Sequence, residues 1–322
     1  MKDRKRMCII LALSLGLLLL VAAVLVIQTI NGTPKVGVCL RQFNDNGTQA
    51  FWNSFHDGLR AQGYRTMVAD AKNDQSQQDA QIAEMLKKGC DFLVVEPVMV
   101  AAADTVVQQA RQAQVPLIFL NREPDAQILN SWESVYYVGG KLGNAGTIQG
   151  KIPQQLPGEG DLNGDGVVSY VMLQADPQRT DVQANSQGFA AEAKNAVCLE
   201  TVSTDGTKAS GTFRSGVLLA KYGKDIELIV CSTDEIALGA VEAVQGGGWV
   251  PGVDICVVGI GSNSEALEMV TQNVLSGTVV QDVDGVCEAT ITVIGQLLSG
   301  GQVEKTIYVD HLSVISPGPL VE

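Results

Sequence analysis

Positive charge is scarce in this 322-residue chain: 22 Lys and Arg stand against 35 Asp and Glu, for a net charge of −13. Part of that small store sits at the N-terminus, where Lys2, Arg4, Lys5 and Arg6 are opposed only by Asp3, so the remainder is more acidic still. A polyphosphate surface repels such a body, which excludes nucleic acid as a partner. No helix-turn-helix precedes Lys35, which also excludes a DNA-binding repressor. Histidine is rarer: His56 and His311 are the only two, and neither stands beside a Ser or Cys nucleophile motif. The nucleophile, base and oxyanion donors of a catalytic site cannot be assembled, and the chain is not expected to be an enzyme. Gly259-Ile260-Gly261 is only a fragment of a phosphate loop. The seven cysteines lack metal-ligand spacing, and an odd number cannot all pair within one chain. Cys39, Cys90, Cys231 and Cys256 lie in or beside apolar runs and read as small buried hydrophobes.

Charge is absent altogether between Arg6 and Lys35, and Cys8 to Ile27 is apolar except for Ser14 and Gly16. That run is long enough to span a bilayer. The basic residues before it predict a cytoplasmic N-terminus, with everything after about residue 31 on the extracytoplasmic face of the cell membrane. A cleaved signal peptide is the alternative and would leave a secreted or periplasmic protein, but Val26-Ile27-Gln28-Thr29-Ile30 offers no small-residue cleavage pattern. Cys8 opens the apolar run with no lipobox before it, so a lipoprotein anchor is not expected.

Asp161-Leu162-Asn163-Gly164-Asp165-Gly166 spells the first half of a calcium loop. Asp161, Asn163 and Asp165 supply side-chain oxygens around a turn that Gly166 permits, with a carbonyl at Val167. The twelfth position, Met172, supplies no carboxylate, so a closing ligand must come from elsewhere. The other reading is a polar turn linking two elements.

From Lys35 onward, short apolar runs alternate with amphipathic stretches of helical length, the pattern of parallel sheets with helices on their faces. Strands are expected at Lys35 to Leu40, Thr66 to Ala69, Phe92 to Val95 and Leu117 to Leu120, and again at Val167 to Leu173, Leu228 to Cys231, Ile255 to Ile260 and Thr278 to Val280. Helices are expected at Gln75 to Lys88, Ala101 to Gln114, Asp181 to Lys194, Glu235 to Gln245 and Glu265 to Gln272. Two such lobes place a cleft between them, and open α/β sheets bind ligands at the carboxyl ends of their strands. The residues just after the strands include Asn44, Asp45, Glu96, Asn121, Arg122, Glu123, Arg179, Asp181, Thr233, Asp234 and Gln281, each of which could equally be a solvated loop residue.

Lys35-Val-Gly-Val38, Asn73-Asp-Gln-Ser76, Val115-Pro-Leu-Ile-Phe-Leu-Asn-Arg-Glu-Pro124, Tyr136-Tyr-Val-Gly139, the calcium loop, Gly239-Ala-Val-Glu-Ala243 and Ser276-Gly-Thr-Val279 together resemble the type I periplasmic binding proteins, and within them the galactose/glucose-binding proteins. The resemblance implies two doubly wound α/β lobes joined by a three-segment hinge, crossing near Val115 to Pro116, Val280 to Asp282 and Val314 to Ser316. With the N-terminal transmembrane helix at 1–31, the first lobe would comprise 35–115 plus 282–315 and the second 116–281 plus 316–322. It also implies structural Ca2+ held by Asp161, Asn163, Asp165, Val167, Ser169 and Glu227.

The sugar-contact positions carried over by the resemblance are Asp45, Glu96, Arg179, Asp181, Asn185, Thr233 and Gln281. Gly47 and Ala209 stand where that family places the rings that sandwich the sugar, which argues against tight glucose or galactose binding. Trp52 or Phe51 could replace one ring, although Phe51 reads first as core. The expectation is a membrane-tethered, monomeric solute-binding protein of a carbohydrate ABC importer, closing around a small polar ligand beside a permease. An accessory sensor for a signalling receptor and a calcium-stabilised interaction module are the alternatives.

Overall fold

In Lys35–Leu40, Val36, Val38 and Leu40 point to one side and Cys39 to the other, and all four are buried. A strand apolar on both faces needs helices above and below it. Val36, Val38 and Leu40 pack with Phe51, Phe55 and Val286, while Cys39 packs with Ile82 and Met85 on the opposite face. The protein repeats this arrangement twice. The computed structural model describes residues 32–43 and 46–317; the apolar N-terminal stretch expected to form an anchor, and Asp45, lie outside the described residues. No helix among the described residues is long and apolar enough to cross a membrane.

The strands are β1 (Lys35–Leu40), β2 (Arg65–Asp70), β3 (Phe92–Val95), β4 (Leu117–Leu120), β5 (Val135–Gly139), β6 (Val168–Gln174), β7 (Ala196–Ser203), β8 (Leu228–Cys231), β9 (Cys256–Ile260), β10 (Gly277–Val280), β11 (Thr306–Tyr308) and β12 (Leu312–Ile315). The helices are α1 (Asn46–Ala61), α2 (Gln75–Lys87), α3 (Ala103–Ala113), α4 (Ala126–Leu129), α5 (Asn144–Lys151), α6 (Thr180–Glu192), α7 (Lys208–Tyr222), α8 (Asp234–Gly246), α9 (Ser264–Thr271) and α10 (Val283–Leu298). One sheet runs β11-β5-β4-β3-β1-β2 and the other β12-β10-β9-β8-β6-β7. All pairings in the first sheet are parallel. The second sheet is parallel apart from β12, which runs antiparallel to β10.

The direction of β12 follows from where the chain crosses. β5, β10 and β11 each end at the carboxyl edge of their sheet, and the chain passes to the other lobe from those three ends. After β11 it crosses at 309–311 and enters the second sheet from that same edge, so β12 must run against its neighbour. The same facts correct two hinge positions. Leu117–Leu120 pairs with Phe92–Val95 inside the first sheet, so the first crossing lies after Gly139 and not at 115–116. The third lies before Leu312 and not at 314–316, because Val314 is already paired with Thr278. The first sheet therefore holds β4, β5 and β11 together with β1 to β3, and the lobe boundary at 115/116 does not hold.

Close helix contacts complete the second lobe. A Cβ added at Gly146 of α5 would stand 1.8 Å from the carbonyl oxygen of Asn185 in α6, and one at Gly239 of α8 would stand 2.1 Å from that of Lys208 in α7. Only glycine lets these helices approach so closely.

Candidate functional site

Because the crossings leave from strand ends, the carboxyl edges of the two sheets face each other, and the residues just beyond them share one cleft. On the first lobe, Arg41 follows β1, Glu96 follows β3, and Asn121 and Arg122 follow β4. Glu96 Oε2 accepts from the Arg41 N–H at 3.4 Å. Burial pushes the Glu96 carboxyl above its ordinary range, against the opposing charges of Arg41 and Arg122 and a hydrogen bond with Asn121. Asn121 adopts a left-handed φ of 60°. Its Oδ1 accepts from Nε2 of Gln281, which stands at the second crossing, so hinge and pocket wall are tied together. Arg122 is anchored through Nη1 to the carbonyls of Pro97 at 2.8 Å and Val98 at 2.5 Å.

The second lobe contributes Arg179 and Asp181 at the start of α6. Arg179 grips Asp181 with two bonds, Nε to Oδ1 at 3.1 Å and Nη2 to Oδ2 at 2.5 Å, and both side chains are about half exposed, at 56% and 48%. Burial, followed by the charge of Arg41, lowers the Arg122 guanidinium from its usual value; Arg179 on the other lobe adds to this, while Glu96 and Asp181 oppose it.

Of the residues expected from sequence, Glu96, Arg179, Asp181 and Gln281 are brought to this cleft. Asn185 and Thr233 also make local hydrogen bonds. Asn185 Oδ1 accepts from the Gly146 N–H at 3.1 Å in the α5–α6 seam, and Thr233 Oγ1 accepts from the Ile236 N–H as the N-cap of α8. Arg41, Asn121 and Arg122 join the group. Asn121 and Arg122 are reachable by reading strand exits; the signal for Arg41 is its place directly after a strand buried from Val36 to Leu40. Phe51 is buried and stacks on Phe55 within the core at 5.6 Å, so it is no platform, while Trp52, partly buried, packs against Phe43 and His56.

Beside Thr233, Asp234 is only 3% exposed and accepts from Thr278 Oγ1 at 2.5 Å and the Asn263 N–H at 3.0 Å. Burial raises its carboxyl, with the Thr278 bond opposing. It braces the loops after β8 and β9 from below. A pocket of about 90 Å³ lined by Leu156, Pro157, Val250 and Cys256, among others, lies at the opposite, amino edge of the second sheet and has no part in the cleft.

The loop at 161–167 is closed by its own amides. Asp161 Oδ1 accepts from the Gly164 N–H at 2.7 Å and the Asp165 N–H at 3.2 Å, and Oδ2 from the Gly166 N–H at 2.8 Å. Asn163 Oδ1 takes the Asp165 N–H and Asp165 Oδ1 the Val167 N–H. Glu227, 2% exposed and just before β8, reaches the loop from the neighbouring strand and accepts from the N–H groups of Leu162, Asn163 and Ser169 at 2.7, 3.0 and 2.8 Å. These side chains are hard oxygen donors, the chemistry that a cation such as Ca2+ takes. Among the described residues, however, no three or more His, Cys, Asp or Glu side chains are drawn together as a metal-holding group.

Six cysteines among the described residues are free, and only Cys198 is exposed. Burial pushes the Cys39 and Cys287 thiols up to about 12 and Cys90 to about 11, which suits inert packing residues.

Residues 36–302 match the periplasmic binding protein domain. The chain is 28% identical over 277 residues to the D-galactose/methyl-galactoside binding periplasmic protein MglB of Haemophilus influenzae, covering 83% of this chain and 82% of that protein. It is 26% identical over 299 residues to a putative rhizopine-binding protein of Rhizobium meliloti, covering 90% and 92%. Among solved structures, a periplasmic ribose ABC transporter protein from Conexibacter woesei superposes with a TM-score of 0.76 at 19% identity, covering 88% of this chain and 92% of that one. A solute binding protein from Actinobacillus succinogenes with bound D-allose superposes with a TM-score of 0.72 at 19% identity, covering 88% and 98%.

Proposed function

The chain belongs to the periplasmic binding protein family, a family of solute-binding proteins and not of enzymes, and from that premise we propose that it is the membrane-tethered, extracytoplasmic receptor of a carbohydrate ABC importer. Its two lobes close around one sugar or sugar derivative, and the closed form is what the permease reads. The observation that carries this reading is the cleft itself: Glu96, Asn121 and Arg122 from one sheet, Arg179 and Asp181 from the other, and Gln281 on the hinge between them. Carboxylates and amides so placed accept from sugar hydroxyls, and guanidiniums donate to ring and hydroxyl oxygens. No covalent step is required, because hinge closure is the output. The relatives named for galactosides and ribose agree with a carbohydrate ligand.

The test is a thermal-shift screen against monosaccharides, sugar acids, amino sugars, polyols and nucleosides. Stabilisation by one sugar class is expected, amounting to about 2.7 kcal/mol at a hundredfold excess over Kd. Stabilisation by nucleosides alone would exclude a sugar receptor.

Within this reading Ca2+ is structural, held by Asp161, Asn163, Asp165, the Val167 carbonyl, Ser169 and Glu227, and pins the loop to the start of β8. Glu227→Ala should then lower the melting temperature in calcium while leaving ligand affinity near its original value. Identical melting curves of the parent protein with calcium and with chelator would rule the ion out.

A further inference from the structure

The charge of the ligand can be taken further, resting on the receptor reading above. Three guanidiniums gather at the cleft, with Arg122 within electrostatic reach of both Arg41 and Arg179. Arg122 and Arg41 keep donors to spare. Arg122 donates only from Nη1, to two carbonyls, which leaves Nε and Nη2 without a hydrogen-bond partner among the described residues. Among the described residues the Arg41 side chain donates only from Nη1, to Asn73 Oδ1 at 3.3 Å. Arg179 is spent on Asp181 through two bonds. Glu96 is then the one described carboxylate shared between Arg41 and Arg122, and its hydrogen bond from Arg41 is a long 3.4 Å contact from the backbone.

A half-buried guanidinium with its planar edge unpaired is costly to hold unless an acceptor completes it, and a carboxylate matches that edge in two-point fashion. We propose that the ligand is a monosaccharide bearing a carboxylate, a uronic or aldonic acid, whose carboxylate lies against the free edge of Arg122 with Arg41 beside it. Among Arg41, Glu96, Arg122, Arg179 and Asp181 one positive charge is left unmatched, which suits a monoanion better than a phosphate dianion. The acidic body does not forbid an anion, since its field is screened beyond about 8 Å at physiological salt.

Titration calorimetry on the purified full chain, with calcium present, compares galactose with galacturonate, glucose with glucuronate and gluconate, and glucose 6-phosphate as the dianion. One acid is expected to bind at least about tenfold tighter than its neutral parent, and Arg122→Gln and Arg41→Gln should each remove about that margin while changing the neutral parent far less. Denaturation midpoints of both variants near the parent's serve as the folding control. A neutral sugar that binds as tightly as its acid overturns the proposal and leaves the receptor reading standing. Tighter binding of the phosphate overturns the assignment of a carboxylate. Absence of binding by every sugar, acid and phosphate overturns the receptor reading and this proposal with it.

Discussion

Glu96 shows how one side chain can report on the cleft. Its carboxyl is raised from the ordinary value of 4.5 by burial, and the guanidiniums of Arg41 and Arg122 offset this only in part. An acid whose folded value lies above its unfolded value binds more protons when folded, so its contribution is fully present below about 4.5 and is lost as pH climbs through the raised folded value. Glu96→Gln cannot titrate. The stability of the variant relative to the parent should therefore improve steadily from pH 4 towards neutrality, as read by urea denaturation at several pH values. A difference that stays constant with pH would mean that Glu96 is not desolvated.

At the scale of elements, the α5–α6 pair decides how the second lobe is built. Gly146 and Gly188 let the two backbones touch, and the Asn185 amide bridges the seam. Gly146→Ala would drive a methyl into the Asn185 carbonyl, and destabilisation by about 1–3 kcal/mol is expected from such overpacking. Urea denaturation measures it, and a change below about 0.5 kcal/mol, the range of an ordinary surface substitution, would show that the seam yields. These are also elements that sequence periodicity conceals. α5 is short and carries Gly146 and Gly150 where apolar residues would mark a stripe. β7 is an edge strand with exposed and half-buried residues along its length, so its alternation is blurred. By contrast β1, β3, β4 and β8 are buried almost throughout and stand out as unbroken apolar runs.

For the whole molecule, function rests on how freely the lobes rotate about the crossings. The first and third crossings touch: a Cβ at Gly140 would stand 2.3 Å from Cε1 of His311. His311 is held in turn by Asn144, whose Oδ1 accepts from its backbone N–H at 2.8 Å and lies 3.0 Å from its Nδ1. Gly140→Ala should push the crossings apart and weaken ligand binding about tenfold, or roughly 1.4 kcal/mol, while neither lobe's core is altered. Calorimetry beside denaturation separates the two effects, and unchanged affinity would mean that closure does not pass through this contact. By itself, the sequence determined the alternation of buried strands with helices, the two lobes, the acidic body and the oxygen-rich loop, because each is written in residues close together in the chain. Only the tertiary structure decided which sheet β4 and β5 join, where the first and third crossings lie, that Asn121 bonds to Gln281 on the hinge, and that Arg41 stands beside Glu96. Those are pairings between distant segments, set by strand order and by which edge the chain leaves from, and no local pattern of side chains encodes them.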